Sequence, residues 1–136
     1  MPIHFFNEDV RFKLSGAPAL KKRLLALAKK HRRKVGEVNY IFCSDEYLYE
    51  LNKAYLEHKS YTDIITFEYS TDAEILSDIF ISIDRVKDNA KKFKVPFRTE
   101  LHRVMAHGML HLLGYKDKKA ADKKRIRMAE EAFLKG

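Results

Sequence analysis

The residues best suited to chemistry lie in the run HGMLHLLGYKD, where His107 and His111 are four positions apart. On a helix, at about 100° per residue, that spacing sets two imidazoles one turn apart on one face, within reach of a single metal ion. Gly114 follows three residues after the second histidine. A glycine there can take positive φ, end the helix and turn the chain back, which lets Asp117 return a carboxylate to the same face. Three protein ligands leave one coordination position open, as in catalytic rather than structural zinc sites. Iron(II) also accepts two imidazoles and a carboxylate, but iron oxygenases usually draw them from strands of an all-β barrel. Zinc is therefore the expected metal. It would acidify water and polarise a phosphoryl or carbonyl oxygen, which is hydrolytic chemistry. Both histidines must be deprotonated to bind, so occupancy is expected to fall as pH drops through roughly 6.

A single histidine on an apolar helix is most often a hydrogen-bonded core residue, and that reading is kept for His4, His31, His58 and His102. His107 and His111 differ because two histidines buried on one face would pay for desolvation and, if charged, repel one another; a shared metal removes both problems. The spacing of His107, His111, Gly114 and Asp117 also matches the metzincin protease frame H-E-x-x-H-x-x-G-x-x-H, with Asp as third ligand. Gly108 stands where that frame carries its glutamate general base, so peptide hydrolysis is disfavoured.

The elements needed to position these residues can be read along the chain. Pro18 to His31 places Leu20, Leu24, Leu27 and His31 at spacings of three and four, an amphipathic helix with a lysine- and arginine-rich outer face. VNYIFCS reads as a buried strand, and Ser44-Asp45-Glu46 as the start of a second helix. DIITFEYS and DIFISID read as two strands, paired as neighbours. A short basic helix runs from Val86 to Pro96. FRTELHRVMAHGMLHLLGY is then the most apolar helix and belongs in the centre of the fold, and a last amphipathic helix spans Ala120 to Leu134. The order β-α-β-α-β-β-α-α-α implies a mixed α/β (α+β) fold. It would have a mixed four-stranded sheet packed against about five helices, a central buried metal-binding helix, and residues 1–136 as a single domain.

Composition agrees with a globular chain. Of its 136 residues 46% are hydrophobic and 34% charged, enough apolar material for a core. The lone Cys43 cannot form an internal disulfide, which fits a reducing compartment, and the expected location is cytoplasmic. Neither a bilayer-spanning apolar run nor a secretory signal is legible, so no membrane partner is expected. Twenty-seven Lys and Arg against 19 Asp and Glu leave a net charge of +8. The cations cluster in KKRLLALAKKHRRK, KDNAKKFK and KDKKAADKKRIR, the last beside the candidate ligands. Such clusters suit phosphate contacts with little sequence preference, although each is equally well read as a solvated helix face.

Three runs, LNKAYLEHKSYTDIITFEY, ILSDIFISIDRV and ELHRVMAHGMLHLLGYKD, follow the order and spacing of the YbeY-type proteins. These are bacterial zinc-dependent endoribonucleases of ribosomal RNA maturation and ribosome quality control. This chain resembles them over most of its length, most specifically in HGxLHLxGY. The resemblance implies an α/β fold, one zinc ion on His107, His111 and Asp117, and single-strand-type endoribonuclease activity in ribosomal RNA processing. Its implied partners are RNA and the ribosome or ribosome-associated proteins. Two positions depart from the family pattern. Asp117 stands where the family usually has a histidine, giving one neutral donor fewer at the metal. Leu56 follows Tyr55 where the family commonly has an arginine associated with phosphate; His58 or Lys59 would have to supply that charge. Thr62 and Asp63, which open the strand beside the site in the family, are candidates for substrate contact or ligand support. No residue is identifiable as a general base. A reading from another class is a ribosome-assembly RNA-binding protein with a structural zinc, which the missing arginine favours.

Overall fold

The computed structural model describes residues 2–56 and 61–136. Its elements are β1 (Ile3–Asn7), α1 (Ala17–Lys30), β2 (Val35–Cys43), α2 (Asp45–Tyr55), β3 (Ile64–Glu68), β4 (Ile75–Ser82), α3 (Ile83–Phe93), α4 (Phe97–Leu112) and α5 (Ala120–Lys135), in the order expected from the sequence. The four strands form one mixed sheet ordered β1-β2-β4-β3. β1 and β4 run parallel to β2, while β3 pairs antiparallel with β4. β3 is thus an edge strand, joined to its neighbour by the turn after Tyr69, where Thr71 Oγ1 accepts from the Ala73 and Glu74 amides.

Alternation along the strands separates two packed layers. Val38, Tyr40 and Phe42 of β2 and Ile75, Ile79 and Ile81 of β4 form the main core with Leu101, Val104, Met105 and Met109 of α4 and Leu20 and Leu24 of α1. Cys43, Leu48 and Ile65, with Tyr47, Phe67 and Phe80, make a smaller cluster under α2 on the other face. α4 is the most buried helix, as its nearly continuous apolar run requires. Gly108 lets it lie close to the sheet: a Cβ there would stand 3.0 Å from Ile64 Cδ1 and 3.2 Å from Ile79 Cδ1. The buried Tyr40 hydroxyl ties helix to sheet by donating to the Met105 carbonyl at 2.9 Å.

Some boundaries differ from expectation for local reasons. The strand read as DIFISID stops at Ser82, whose hydroxyl accepts from the Arg85 amide at 3.1 Å and caps α3. Ser44 caps α2 the same way, accepting from Tyr47 N. In α1 the buried stripe is Leu20, Leu24 and Ala28; Leu27 and His31 are half-buried at its margin. No helix of the described residues is long and apolar enough to cross a membrane.

Candidate metal centre

α4 ends in a Schellman motif. The Tyr115 amide donates to the Leu110 carbonyl and the Gly114 amide to the His111 carbonyl, each at 3.1 Å, with Gly114 at φ +103°. That backbone conformation is the reason for a glycine at this position. The chain folds back over the helix end, and Tyr115 anchors it. His31 Nδ1 donates to the Leu27 carbonyl at 2.9 Å, so its Nε2 accepts from the Tyr115 hydroxyl at 3.0 Å. Arg125 lies over the Tyr115 ring, 5.6 Å from its centroid. His31, expected to be an ordinary partnered histidine, is one, and its partner is the loop that carries Asp117.

The reversal brings Asp117 Oδ2 to 3.7 Å from His107 Nε2. Both residues and His111 line one cleft of about 330 Å³. Thr62 before β3, Ile64, Ile65 and Thr66 of β3, and Asn52 and Leu56 from the end of α2 line the rest of it. Among the described residues, no three His, Cys, Asp or Glu side chains are drawn close enough together to hold a metal as they stand. The donor set nevertheless fits a divalent ion in kind: two imidazoles and a carboxylate on one cleft, with His107 Nε2 turned toward Asp117.

The far side of the His107 ring meets a group absent from the sequence reading. Its Nδ1 lies 2.6 Å from Oε2 of Glu130, a buried residue of α5. The hydrogen bond to Glu130 raises the His107 pKa, aided by the charges of Glu130, Asp117 and Asp63 and opposed by burial. Asp63 enters from the residue before β3, where burial pushes its carboxyl up against the pull of His107 and Arg103. Arg103 bonds both Glu130, at 3.1 Å, and Glu100. Glu130 carried one faint signal in the sequence: it lies on the apolar stripe of α5 between Ile126 and Phe133, both buried.

The other sequence candidates separate. Thr62 lines the cleft and its hydroxyl donates to the Ile64 carbonyl at 3.4 Å. Leu56 lines it as well. His58 and Lys59 lie outside the described residues. His102 departs from the expected hydrogen-bonded core histidine: it is buried, and its Nε2 has no hydrogen-bond partner among the described residues. Gly108 has no side chain to serve as the glutamate base of the protease frame, and a Cβ there would stand against the side-chain ends of Ile64 and Ile79.

Comparisons with known proteins agree with the fold. The family described as Endoribonuclease YbeY matches residues 3–136. A protein of that name from Cytophaga hutchinsonii is 50% identical over 97% of this chain and 93% of its own length. Another from Flavobacterium johnsoniae is 48% identical over 93% of this chain and 91% of its own. The solution structure of a protein from Thermotoga maritima superposes with a TM-score of 0.68 at 27% identity, covering 97% of this chain and 86% of the other. The chain belongs to the Endoribonuclease YbeY family.

Proposed function

We propose that this chain, an endoribonuclease by family, cuts single-stranded regions of ribosomal RNA in the cytoplasm with one zinc ion held by His107, His111 and Asp117. The observation that carries the reading is the 3.7 Å approach of Asp117 Oδ2 to His107 Nε2 on a cleft that His111 shares. A bound zinc supplies Lewis acidity, acidifying water and drawing charge from a phosphoryl oxygen. The protein's own part is positional. The Schellman turn and the His31–Tyr115 bond hold the Asp117 loop over the helix end. The exposed Lys116, Lys118 and Lys119 flank that loop and supply positive charge for the phosphate backbone. Thr62 and Thr66, which line the cleft, offer hydroxyls for contact with sugar or phosphate. Residues 1–136 act as one domain on this reading, with the ribosome or ribosome-associated proteins as partners in maturation and quality control.

The test is cleavage of a ribosomal RNA fragment by the pure protein, before and after chelation and on adding zinc back. Activity lost to chelator and restored by zinc is expected. Cleavage indifferent to the chelator would overturn the metal assignment. Leu56 favours the second reading, RNA binding with a structural zinc, in which chelation unfolds the protein and the zinc-loaded form binds RNA without cutting it.

A further inference from the structure

Glu130 lies 23 positions beyond His107 and is 2% exposed, yet both of its oxygens are engaged. Oε2 is 2.6 Å from His107 Nδ1, and Oε1 accepts from Arg103 Nη1 at 3.1 Å. Arg103 also donates through Nε, at 3.1 Å, and through Nη2 to Glu100, which is 1% exposed. Burying two carboxylates is costly unless they are paired and hydrogen-bonded, and one guanidinium serves both here. The carboxylate oxygens left to His107 accept and cannot donate, so the hydrogen on that side of the ring belongs to Nδ1. In the neutral ring the lone pair then sits on Nε2, the nitrogen facing Asp117 across 3.7 Å.

We infer that Glu130 is the positioning residue of His107: it selects the Nδ1–H form of the ring and fixes its orientation, so that Nε2 presents its lone pair to a divalent cation in the cleft. Arg103 and Glu100 hold Glu130 in place. α5 thereby contributes to the site from behind the helix that carries the histidines. The negative charge that one guanidinium leaves over on the two carboxylates strengthens Nε2 as a donor and favours a cation on the far side of the ring. The inference rests on the metal reading above for its cation and on the hydrogen-bond geometry alone for the state of the ring.

Two readouts test it. The first is the ¹⁵N spectrum of His107 in the metal-free protein, at a pH where the ring is neutral. The second is direct titration with Zn²⁺. Wild-type protein should show the proton on Nδ1. Glu130→Ala should release the ring to the Nε2–H form and weaken Zn²⁺ binding by roughly 10–100-fold. Glu130→Gln keeps the shape and an accepting oxygen, so it should retain the fold and show an intermediate loss; it carries the test if the alanine variant does not fold. A wild-type ring protonated on Nε2 would overturn the inference outright. So would an unchanged ring and unchanged Zn²⁺ affinity in a folded Glu130 variant. If wild-type protein binds no Zn²⁺, the metal reading fails, while the ring measurement still decides whether Glu130 sets the form of His107.

Discussion

His102 and His107 lie on the same helix, five residues apart, in opposite electrostatic settings. His102 is enclosed with no hydrogen-bond partner for Nε2 among the described residues, and burial, together with Arg98 and Arg23, pushes its pKa down. His107 has Glu130 on Nδ1 and Asp117 facing Nε2, and its pKa is raised, first by the hydrogen bond to Glu130. Residue type and helix are shared, so the difference comes from burial and from the charges set around each ring. Arg98 of the same helix and Arg23 of α1 act on His102, while His107 meets carboxylates from α5, from the loop after α4 and from the residue before β3. A metal candidate is thus defined less by the histidine than by the acids that converge on it.

The largest effect should come from removing one of those acids. Asp117→Ala should lower RNA cleavage by roughly a hundredfold, on the order of losing a strong orienting or ligating partner, while Asp117→His puts an imidazole donor in its place and keeps activity. Equal activity in wild-type and Asp117→Ala enzyme would erase the distinction between the two histidines. A second difference is steric. Gly108→Glu forces bulk and charge between α4 and Ile64 and Ile79, and should cost about 1–3 kcal/mol or more in denaturant melts. Gly108→Ala should be close to neutral, because the better helix propensity of alanine offsets a contact with movable side-chain ends. A fully stable Gly108→Glu protein would show that the close approach of helix and sheet is not required.

The two histidines should also pull stability in opposite directions with pH. The folded-state pKa of His102 lies below its ordinary 6.5, so its stabilising contribution is present above that value and is lost as pH falls through the folded one. The folded-state pKa of His107 is raised in the metal-free protein; its contribution is present below 6.5 and lost as pH rises through the folded value. In metal-free melts, His102→Gln should therefore flatten the acid side of the profile and His107→Gln the neutral side. The raised value also moves proton competition for the metal upward from the pH of roughly 6 expected from sequence. Parallel profiles for the two variants would contradict the contrast. The smallest effect is expected from Tyr115→Phe. It removes the hydroxyl bonded to His31 and should cost about 0.5–1.5 kcal/mol, with a modest loss of cleavage from a looser Asp117 loop.

What was legible in the sequence follows from distance along the chain. The element order, the buried fourth helix and the turn after it are local: Leu and Ile spacing, Ser44, Pro96 and Gly114 announce them. The ligand candidates His107, His111 and Asp117 were visible because a helical turn and a glycine exit relate them within eleven residues. Glu130 was not, because its contact with His107 is made only when α5 folds back on α4. Its neighbours Lys123, Lys124, Arg125 and Arg127 make that helix read as a solvated cationic surface. Ser82 misled the strand boundary because DIFISID keeps strand-like composition while the hydroxyl caps the next helix. The contrasting state of His102 was illegible because it depends first on burial within the folded protein, with Arg98 and Arg23 adding to it.

The most direct test of the account measures bound metal and cleavage of ribosomal RNA on the same samples. These are wild-type protein, the His107→Ala/His111→Ala double variant and His102→Ala. One zinc per chain with cleavage is expected in wild-type and His102→Ala protein, and neither in the double variant. A double variant that still cuts, or an active wild-type protein without metal, would contradict it.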